Sequence, residues 1–118
     1  LPLRRGAAGR VLLAFRGEEG ESYEAIRRDL LAISYGERDP VCAGLSCPVF
    51  GPGDVGVGAL SVSGPRERFT EDNVRRMTTL LLQAGIGITE ALGGNAQGLR
   101  GKLAAHESAG KQPRLRRA

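Results

Sequence analysis

Alternation of small, polar and apolar residues marks the stretch from Val41 to Pro65 as a β-hairpin. Its two halves are separated by Gly51-Pro-Gly-Asp54. In this turn proline fixes φ, glycine permits a positive φ and aspartate can bond its own backbone. Pairing of Phe50 with Val55 across the turn sets the register. The pattern therefore predicts a central antiparallel hairpin over residues 41–63.

The two faces of this hairpin differ in chemistry. One face is apolar and is expected to pack on helices; it consists of Ala43, Leu45, Cys47, Leu60 and Val62. The other is nearly bare, and its predicted pairs are Gly44 with Ser61, Ser46 with Ala59, and Cys42 with Ser63. Because such a face cannot fill a core, it can line a cavity whose hydroxyls meet a polar ligand. An ordinary solvated sheet face is the alternative, and a one-residue slip in the turn would exchange the faces.

Apolar residues at helical spacing predict two helices before the hairpin. The first covers residues 6–15, with inward positions at Val11, Ala14 and Phe15. The second covers residues 22–33, with Ser22 as its N-cap. The inward stripe of this second helix is expected to be Tyr23, Ile26, Leu30 and Ile33.

A longer helix is predicted after the hairpin. Thr70 is its expected N-cap, Glu71 and Asp72 complement the helix dipole, and Gly93-Gly94 ends it. The predicted inward stripe is Val74, Met77, Leu81, Ala84 and Ile88. Since further leucines flank this stripe, the helix can also serve a dimer contact.

Positive charge is concentrated at the C-terminal end of the chain. Residues 95–118 hold six Lys or Arg and one Glu, a net charge of +5, whereas residues 1–94 hold eleven and twelve, a net charge of −1. The C-terminal segment lacks aromatic residues and is punctuated by glycine, so we expect a disordered basic tail after a domain over 1–94. Such a tail can bind nucleic acid weakly and without sequence preference.

The remaining motifs do not indicate a nucleotide, metal or disulfide site. Gly51 to Gly56 matches the letters of a dinucleotide fingerprint but leads into a strand, so it is interpreted as a turn. Cys42 and Cys47 are expected on opposite faces of one strand, and the single histidine, His106, lies in the tail. We therefore expect no metal, no disulfide and no cofactor.

The sequence also contains few candidate catalytic residues. The serines at positions 34, 46, 61 and 63 have no ordered histidine as a base, so an enzyme is not expected. Glu37 and Asp39 are interpreted as a salt-bridged loop beside Arg38. In that loop Glu37 can also accept backbone amides and hold the lip of the cavity.

Three segments resemble one protein family in order and spacing. They are Ser34-Tyr-Gly-Glu37, GLSCPVF over 44–50 and ALSVSGP over 59–65. These resemble the effector-binding domain of the isocitrate lyase regulator (IclR) family of bacterial transcription factors. The opening LPLRRGAAGRVLLAF over 1–15 is similar to a helix-forming segment of the same family.

The chain departs from the family pattern at several places. Leu30, Gly44 and Gly51 replace the residues that are usual there. Between Phe15 and Ile26 the family carries additional helix and strand. We therefore expect a truncated domain or one that lacks an internal segment, and the family's winged helix-turn-helix DNA-binding domain is expected upstream.

The resemblance implies a fold and a function. The fold is α+β, a GAF/PAS-like antiparallel sheet with helices packed on it and a long C-terminal helix. The function is ligand sensing in a cytoplasmic homodimer or tetramer that binds promoter DNA through the upstream domain, with no membrane association. Alternatives are a hydrolase that uses a cavity serine and a dimerisation module that binds nucleic acid through its basic tail.

The resemblance also implies effector-binding residues, which are Ala7, Ala8, Ser34, Gly44, Ser61 and Ser63. In the family, these positions contact small organic or aromatic acids. The chemistry of the residues agrees, because the first amides of a helix and serine hydroxyls suit a carboxylate. Gly44, which has no side chain, is expected to leave room for a bulky effector.

Overall fold

The computed structural model describes residues 5–111 and contains a three-stranded antiparallel sheet in the order β1-β2-β3. In chain order the elements are α1 (Ala7–Ala14), α2 (Glu21–Asp29), β1 (Ala32–Tyr35), β2 (Cys42–Gly51), β3 (Val55–Pro65), α3 (Glu71–Ala91) and α4 (Gln97–Lys111). This arrangement confirms the predicted α+β class. The parts of the resemblance and of the tail that fall on residues 1–4 and 112–118 lie outside the described residues.

The hairpin has the predicted faces although its register differs by two residues. Val55 pairs with Gly51 instead of Phe50, and the pairing then skips Val57, which forms a β-bulge. Each change moves the register by one residue. Because side chains alternate between faces with a period of two, a total shift of two leaves the β3 residues after the bulge on their predicted side.

The two faces of the sheet are covered by different helices. On one face, side chains of β2 pack against α3 and α4; the fully or nearly buried members of this core are Ala43, Leu45, Cys47, Leu81, Leu82, Ile86 and Leu99. On the other face a smaller cluster joins α1 and α2 to the sheet, and it consists of Ala7, Val11, Ala14, Ile26 and Ala32. The predicted apolar face is therefore confirmed as the main core.

The second predicted helix is shorter than expected and begins differently. Gly20 is at the N-cap of α2, so the assignment of Ser22 as a capping residue is wrong. Leu30 adopts a left-handed conformation with φ of 57° and ends the helix after Asp29. Ile33 then lies in β1, opposite Leu45. Pairing with β2 therefore overrides the helical spacing.

Helix α3 begins as predicted, but its buried face is rotated. Thr70 Oγ1 accepts a hydrogen bond from the Asn73 amide at 3.2 Å, which confirms the N-cap. The buried residues are Thr78, Leu81, Leu82, Gly85, Ile86 and Thr89, so the predicted stripe through Ala84 and Ile88 is wrong. Gly85 lies against Cys47 of the sheet, where a Cβ would lie 2.9 Å from Cys47 Sγ, so this close approach favours glycine.

Residues 96–111 correct the prediction of a disordered tail. They include helix α4, in which Leu99 is fully buried against the main core, and Ala96 directly before it is buried as well. Leu103 packs on the same core, so Ala96, Leu99 and Leu103 give one apolar edge at helical spacing. Arg100 adds an ion pair to Glu90 of α3. Burial of these few residues is enough to order a segment with little hydrophobic content.

The tip of the hairpin is fixed to the end of α3. The Phe50 amide donates a hydrogen bond to Thr89 Oγ1 at 3.1 Å, and Thr89 is fully buried. Gly94 follows α3 and passes so close to the hairpin that a Cβ there would lie 2.2 Å from the Phe50 carbonyl oxygen. Glycine is therefore required at position 94. Within residues 5–111, no helix has both the length and the apolar character needed to cross a bilayer.

Candidate functional site

A cavity of about 370 Å³ lies between the N-terminus of α1, the loop after β1 and the bare face of the hairpin. All six residues predicted from the sequence line it, namely Ala7, Ala8, Ser34, Gly44, Ser61 and Ser63. Cys42, predicted on the bare face, and Glu37, predicted at the lip, also line it, and the structure adds residues that the sequence did not place there: Gly6, Arg38, Asp39 and Ala43. The volume lies within the range usual for small-molecule sites.

The sheet presents the cavity residues in two rows. Gly44 pairs with Ser34 on one side and Ser63 on the other. The neighbouring row has Ser46 in the middle, between Ala32 and Ser61. The sequence analysis does not place Ser34 in this sheet because the predicted second helix extends to Ile33 and no strand is predicted after it. The pairing of β1 with β2 is what brings Ser34 to the cavity.

The missing side chain at Gly44 helps to form the cavity. A Cβ at this position would lie 3.5 Å from Ser34 Oγ and 3.9 Å from the Cβ of Ala7. These are ordinary contact distances, so alanine would fit, but a longer side chain would project between the sheet and α1. Gly44 therefore keeps the floor of the cavity low beneath the start of α1.

The N-terminus of α1 contributes backbone donors. No side chain caps this helix, and its N-cap residue Gly6 has φ of 89°. The amides of Ala7 and Ala8 belong to the first turn, where N–H groups have no intrahelical acceptor and carry partial positive charge. Both residues line the cavity, so these donors are available to an anionic group.

Glu37 holds the lip of the cavity, as proposed from the sequence. Its Oε1 accepts a hydrogen bond from the Gly6 amide at 3.0 Å, and its Oε2 lies 3.0 Å from Arg10 Nη2. Arg10 Nη2 also donates to the Ile33 carbonyl at 2.6 Å. The expected partner, Arg38, is not the residue that pairs with Glu37. Arg10 and Glu37 thereby join the start of α1 to β1 and to the loop that follows it.

Arg38 and Asp39 complete this lip. The Arg38 side chain crosses Gly6 so closely that a Cβ at Gly6 would lie 2.6 Å from Arg38 Cδ. Asp39 Oδ1 accepts the Val41 amide at 3.1 Å and so shapes the loop. In the described part of the chain, Arg38 has no ion-pair partner. The lip thus places a cationic side chain beside the backbone donors of α1.

The cavity serines have different hydrogen-bond partners. Ser61 Oγ is 3.0 Å from the Oγ of Ser46, which in turn is 3.0 Å from the Leu60 carbonyl oxygen. Ser46 is fully buried and does not line the cavity. Ser34 and Ser63 do line it, and among residues 5–111 their hydroxyls have no hydrogen-bond partner. Ser34 is also 93% buried, since its exposed fraction is 7%.

The two cysteines lie on opposite faces of β2, as predicted, and both are free. Cys42 is partly exposed on the cavity wall. Cys47 is buried in the main core, and this burial raises the pKa of its thiol to about 12. His106 lies on α4, where its Nε2 is 2.9 Å from the Arg75 carbonyl oxygen. It is not among the residues that line the cavity, so no serine–histidine pair forms there.

Solved structures with the same fold are transcriptional regulators. An IclR regulator from Silicibacter is 26% identical over 80% of this chain and 47% of its own, with a TM-score of 0.69. The C-terminal domain of a Vibrio cholerae regulator is 35% identical over 72% of this chain and 62% of its own, with a TM-score of 0.62. This chain therefore spans between about half and two thirds of their length.

A third structure supports the fold alone, because it is 16% identical. It is a double mutant of the inducer-binding domain of the Acinetobacter transcription factor PobR, in complex with 3-hydroxybenzoic acid, with a TM-score of 0.66. It covers 75% of this chain and 66% of its own. No curated protein matches the chain. The family model of the bacterial transcriptional regulator IclR C-terminal domain matches residues 20–90, more than half of the sequence, and the chain therefore belongs to that family.

Proposed function

We propose that this chain is the ligand-sensing part of a transcriptional regulator and that its cavity binds a small organic or aromatic acid. The observation that carries the proposal is the grouping of hydrogen-bond donors at one end of a single cavity. The amides of Ala7 and Ala8 lie there, and so do the hydroxyls of Ser34 and Ser63. Together they form a site that suits a carboxylate.

The hydroxyl of Ser34 is open to such an interaction. Ser34 lines the cavity, and within residues 5–111 its hydroxyl has no hydrogen-bond partner. A carboxylate oxygen can accept a hydrogen bond from it, and bonds to charged groups are stronger than those between neutral groups. Arg38 adds positive charge at the lip, while the carboxylate of Glu37 is already paired with Arg10. The site therefore favours an anion despite the acidic residues in the loop.

The rest of the wall fits the carbon skeleton of an organic acid. Gly44 and Ala7 provide a small apolar floor and side wall. The acid complex of the PobR inducer-binding domain shows that a protein of this fold can hold an aromatic acid. We therefore extend the proposal to aromatic acids as well as aliphatic ones.

Occupancy of the cavity would then regulate DNA binding. Effector binding shifts the population of conformers in which a winged helix-turn-helix domain, expected upstream, can sit on a promoter. Such regulators act as homodimers or tetramers, and Leu80 of α3, which is 65% exposed, is a candidate for an oligomer contact. Both statements belong to the proposal.

Calorimetric titration of the chain with benzoate and with propionate tests the acid site. Ser63→Ala should weaken binding by about 1 to 2 kcal/mol, because it removes a hydrogen bond to a charged group. It should barely change the melting temperature, since Ser63 is exposed at the cavity. Ser108→Ala, on an exposed position of α4, is the matched control and should bind like the unchanged protein.

Two results would contradict the proposal. If neither benzoate nor propionate binds, the cavity is not a carboxylate site. Conversion of a bound acid to a product, detected by mass spectrometry and lost in Ser61→Ala, would favour an enzyme.

A further inference from the structure

Strand β3 is an open edge of the sheet. It pairs with β2 on one side, and within residues 5–111 its other side has no backbone partner. An unpaired edge is a template for a further strand, and native proteins often protect such edges with charged side chains. The strand Val55–Pro65 contains no charged residue. The bulge at Val57 disturbs only the end near the turn, and the pairing from Gly58 to Pro65 is regular.

The hydrogen bonds of the hairpin identify the backbone groups that face the open edge. At the end remote from the turn, the Arg66 amide donates to the Val41 carbonyl oxygen at 2.7 Å. Along an antiparallel strand, residues that bond to the paired strand alternate with residues that bond away from it. The even-numbered residues from Gly58 to Gly64 therefore bond to β2. The amides and carbonyls that point outward belong to Ala59, Ser61 and Ser63.

This set of outward groups makes the edge complementary to itself. When two β3 strands run antiparallel about a two-fold axis at Ser61, that residue pairs with its own copy. Ala59 of each copy then pairs with Ser63 of the other, and each such pair exchanges two hydrogen bonds. A register shifted toward Pro65 would lose bonds, because proline has no amide to donate.

The charges at the two ends of β3 favour the same antiparallel arrangement. Asp54 directly precedes the strand, and the segment Arg66–Arg68 that follows it holds two Arg and one Glu. Antiparallel pairing brings the start of one strand to the end of the other, so Asp54 of each copy approaches a segment of net positive charge. Parallel pairing would bring like charges together.

Exposed apolar side chains lie beside the open edge on the α3 face. Val55 and Val57 are 56% and 54% exposed. Gly51 is on the same face of β2 as Cys47, and a Cβ at Gly51 would lie 3.0 Å from Val57 Cγ1. Val57 therefore lies on the face that α3 covers, at a place that α3 leaves open to solvent.

Helix α3 presents Ile88 on its flank toward β3. Its Glu90 is ion-paired with Arg100 of α4, and α4 lies toward β1, since a Cβ at Gly98 would lie 3.3 Å from Leu30 Cδ1. Ile88 is two residues from Glu90, which is about 200° around the helix, and it is 38% exposed. In a sheet joined at β3, the two α3 helices lie on the same face with their Ile88 flanks toward each other.

We propose that the outer edge of β3 is the surface through which two copies of this chain associate. The dimer has one continuous antiparallel sheet of six strands, three from each copy, with its two-fold axis at Ser61. The apolar side chains of β3 and the Ile88 flank of α3 become covered on one face. This interface does not depend on binding of an acid in the cavity.

Sedimentation velocity of the full chain over a range of concentrations tests the dimer. Ser61→Pro removes an outward amide and no bond to β2, so the dissociation constant of the dimer should rise about tenfold or more. Ser61→Ala is the matched control: it keeps the amide and should dimerise like the unchanged chain. A thermal melt establishes that each variant is folded.

A second pair of variants tests the interface without altering the strand. Ile88→Lys places two positive charges on flanks that face each other, so dimerisation should weaken several-fold. Gln83→Lys adds the same charge at an exposed position of α3 on its other flank and should have no effect. This pair decides the question if Ser61→Pro fails to fold.

Amide exchange followed by NMR identifies the strand that pairs. The amides of Ala59, Ser61 and Ser63 should exchange more slowly as the protein concentration rises, whereas the Val62 amide, bonded to β2, should be slow throughout. A monomer in which the three amides exchange rapidly overturns the proposal. A monomer in which they are slow shows that another segment of the same chain covers the edge, and a dimer unaffected by Ser61→Pro and Ile88→Lys uses another surface. Both results also overturn it.

Discussion

Strand β2 serves two opposite purposes on its two faces. Toward α3 and α4 it presents Leu45 and Cys47, which are 3% and 0% exposed. Toward α1 it presents Gly44 and Ser46, which provide little volume. The first face is filled by side chains from two helices, whereas on the second face a space of about 370 Å³ remains open beneath the start of α1.

The difference shows how one strand can separate stability from ligand recognition. Burial of apolar surface on the α3 side supplies stability that the nearly bare face cannot supply. The cavity face is therefore free to use glycine and serine at positions where larger apolar residues would pack better. Substitutions on the two faces should accordingly change different properties.

The largest expected difference between the two faces is in the thiol reactivity of the two cysteines of β2. Burial raises the pKa of Cys47 from 9.0 to about 12, which lowers its thiolate fraction at pH 8 about a thousandfold relative to an ordinary thiol. Iodoacetamide followed by peptide mass spectrometry should label Cys42 and leave Cys47 unmodified. Bound benzoate should slow labelling of Cys42, which lines the cavity. Labelling of Cys47 at the rate of Cys42 would contradict the packing of α3 on β2.

Shortening a side chain on the α3 face of β2 should lower the stability of the fold and leave ligand binding unchanged. Leu45→Ala should lower the free energy of unfolding by about 2 to 5 kcal/mol, because it leaves a cavity beneath α3. Urea unfolding measures this change, and benzoate affinity of the folded variant should stay unchanged. Gln83→Ala, at an exposed position of α3, is the control and should stay within about 0.5 kcal/mol. Selective loss of acid binding in Leu45→Ala would show that the faces are assigned in reverse.

Adding a side chain to the bare face of β2 should weaken ligand binding and leave the stability of the fold unchanged. Gly44→Leu should abolish benzoate binding because its side chain would occupy the space between the sheet and Ala7. Gly44→Ala is the graded control: its Cβ would have contacts of 3.5 Å or more, so binding should weaken by less than about tenfold. Both variants should keep the melting temperature close to that of the unchanged protein. Full benzoate affinity in Gly44→Leu would place the ligand elsewhere.

The sequence was sufficient to predict the hairpin faces but not its register. Alternation assigns each residue to a side, and an even shift keeps that assignment. The bulge at Val57 and the pairing of Gly51 with Val55, which shortens the turn to Pro52–Asp54, do not follow from alternation. Because the two errors add to two residues, the predicted face, including Ser61 and Ser63, was right.

Elements that depend on tertiary contacts were predicted poorly. The predicted second helix extends to Ile33, yet residues 32–35 form β1 because β2 supplies backbone partners. Helix α4 has little hydrophobic content, and its order depends on burial of Leu99 against α3. The loop residues Arg38 and Asp39 reach the cavity because the chain after β1 returns over the start of α1. None of these contacts follows from local periodicity.

The attachment of the hairpin tip to α3 has a mechanical consequence. Phe50 is joined to Thr89 by a hydrogen bond, and Gly94 lies directly on the Phe50 carbonyl, so a displacement of the tip must carry the end of α3 with it. The start of α1 is joined to the sheet through polar side chains, Arg10 and Glu37, at a partly exposed lip. A ligand in the proposed site would therefore act on the polar attachment of α1, which is remote from the hairpin tip that Thr89 and Gly94 hold.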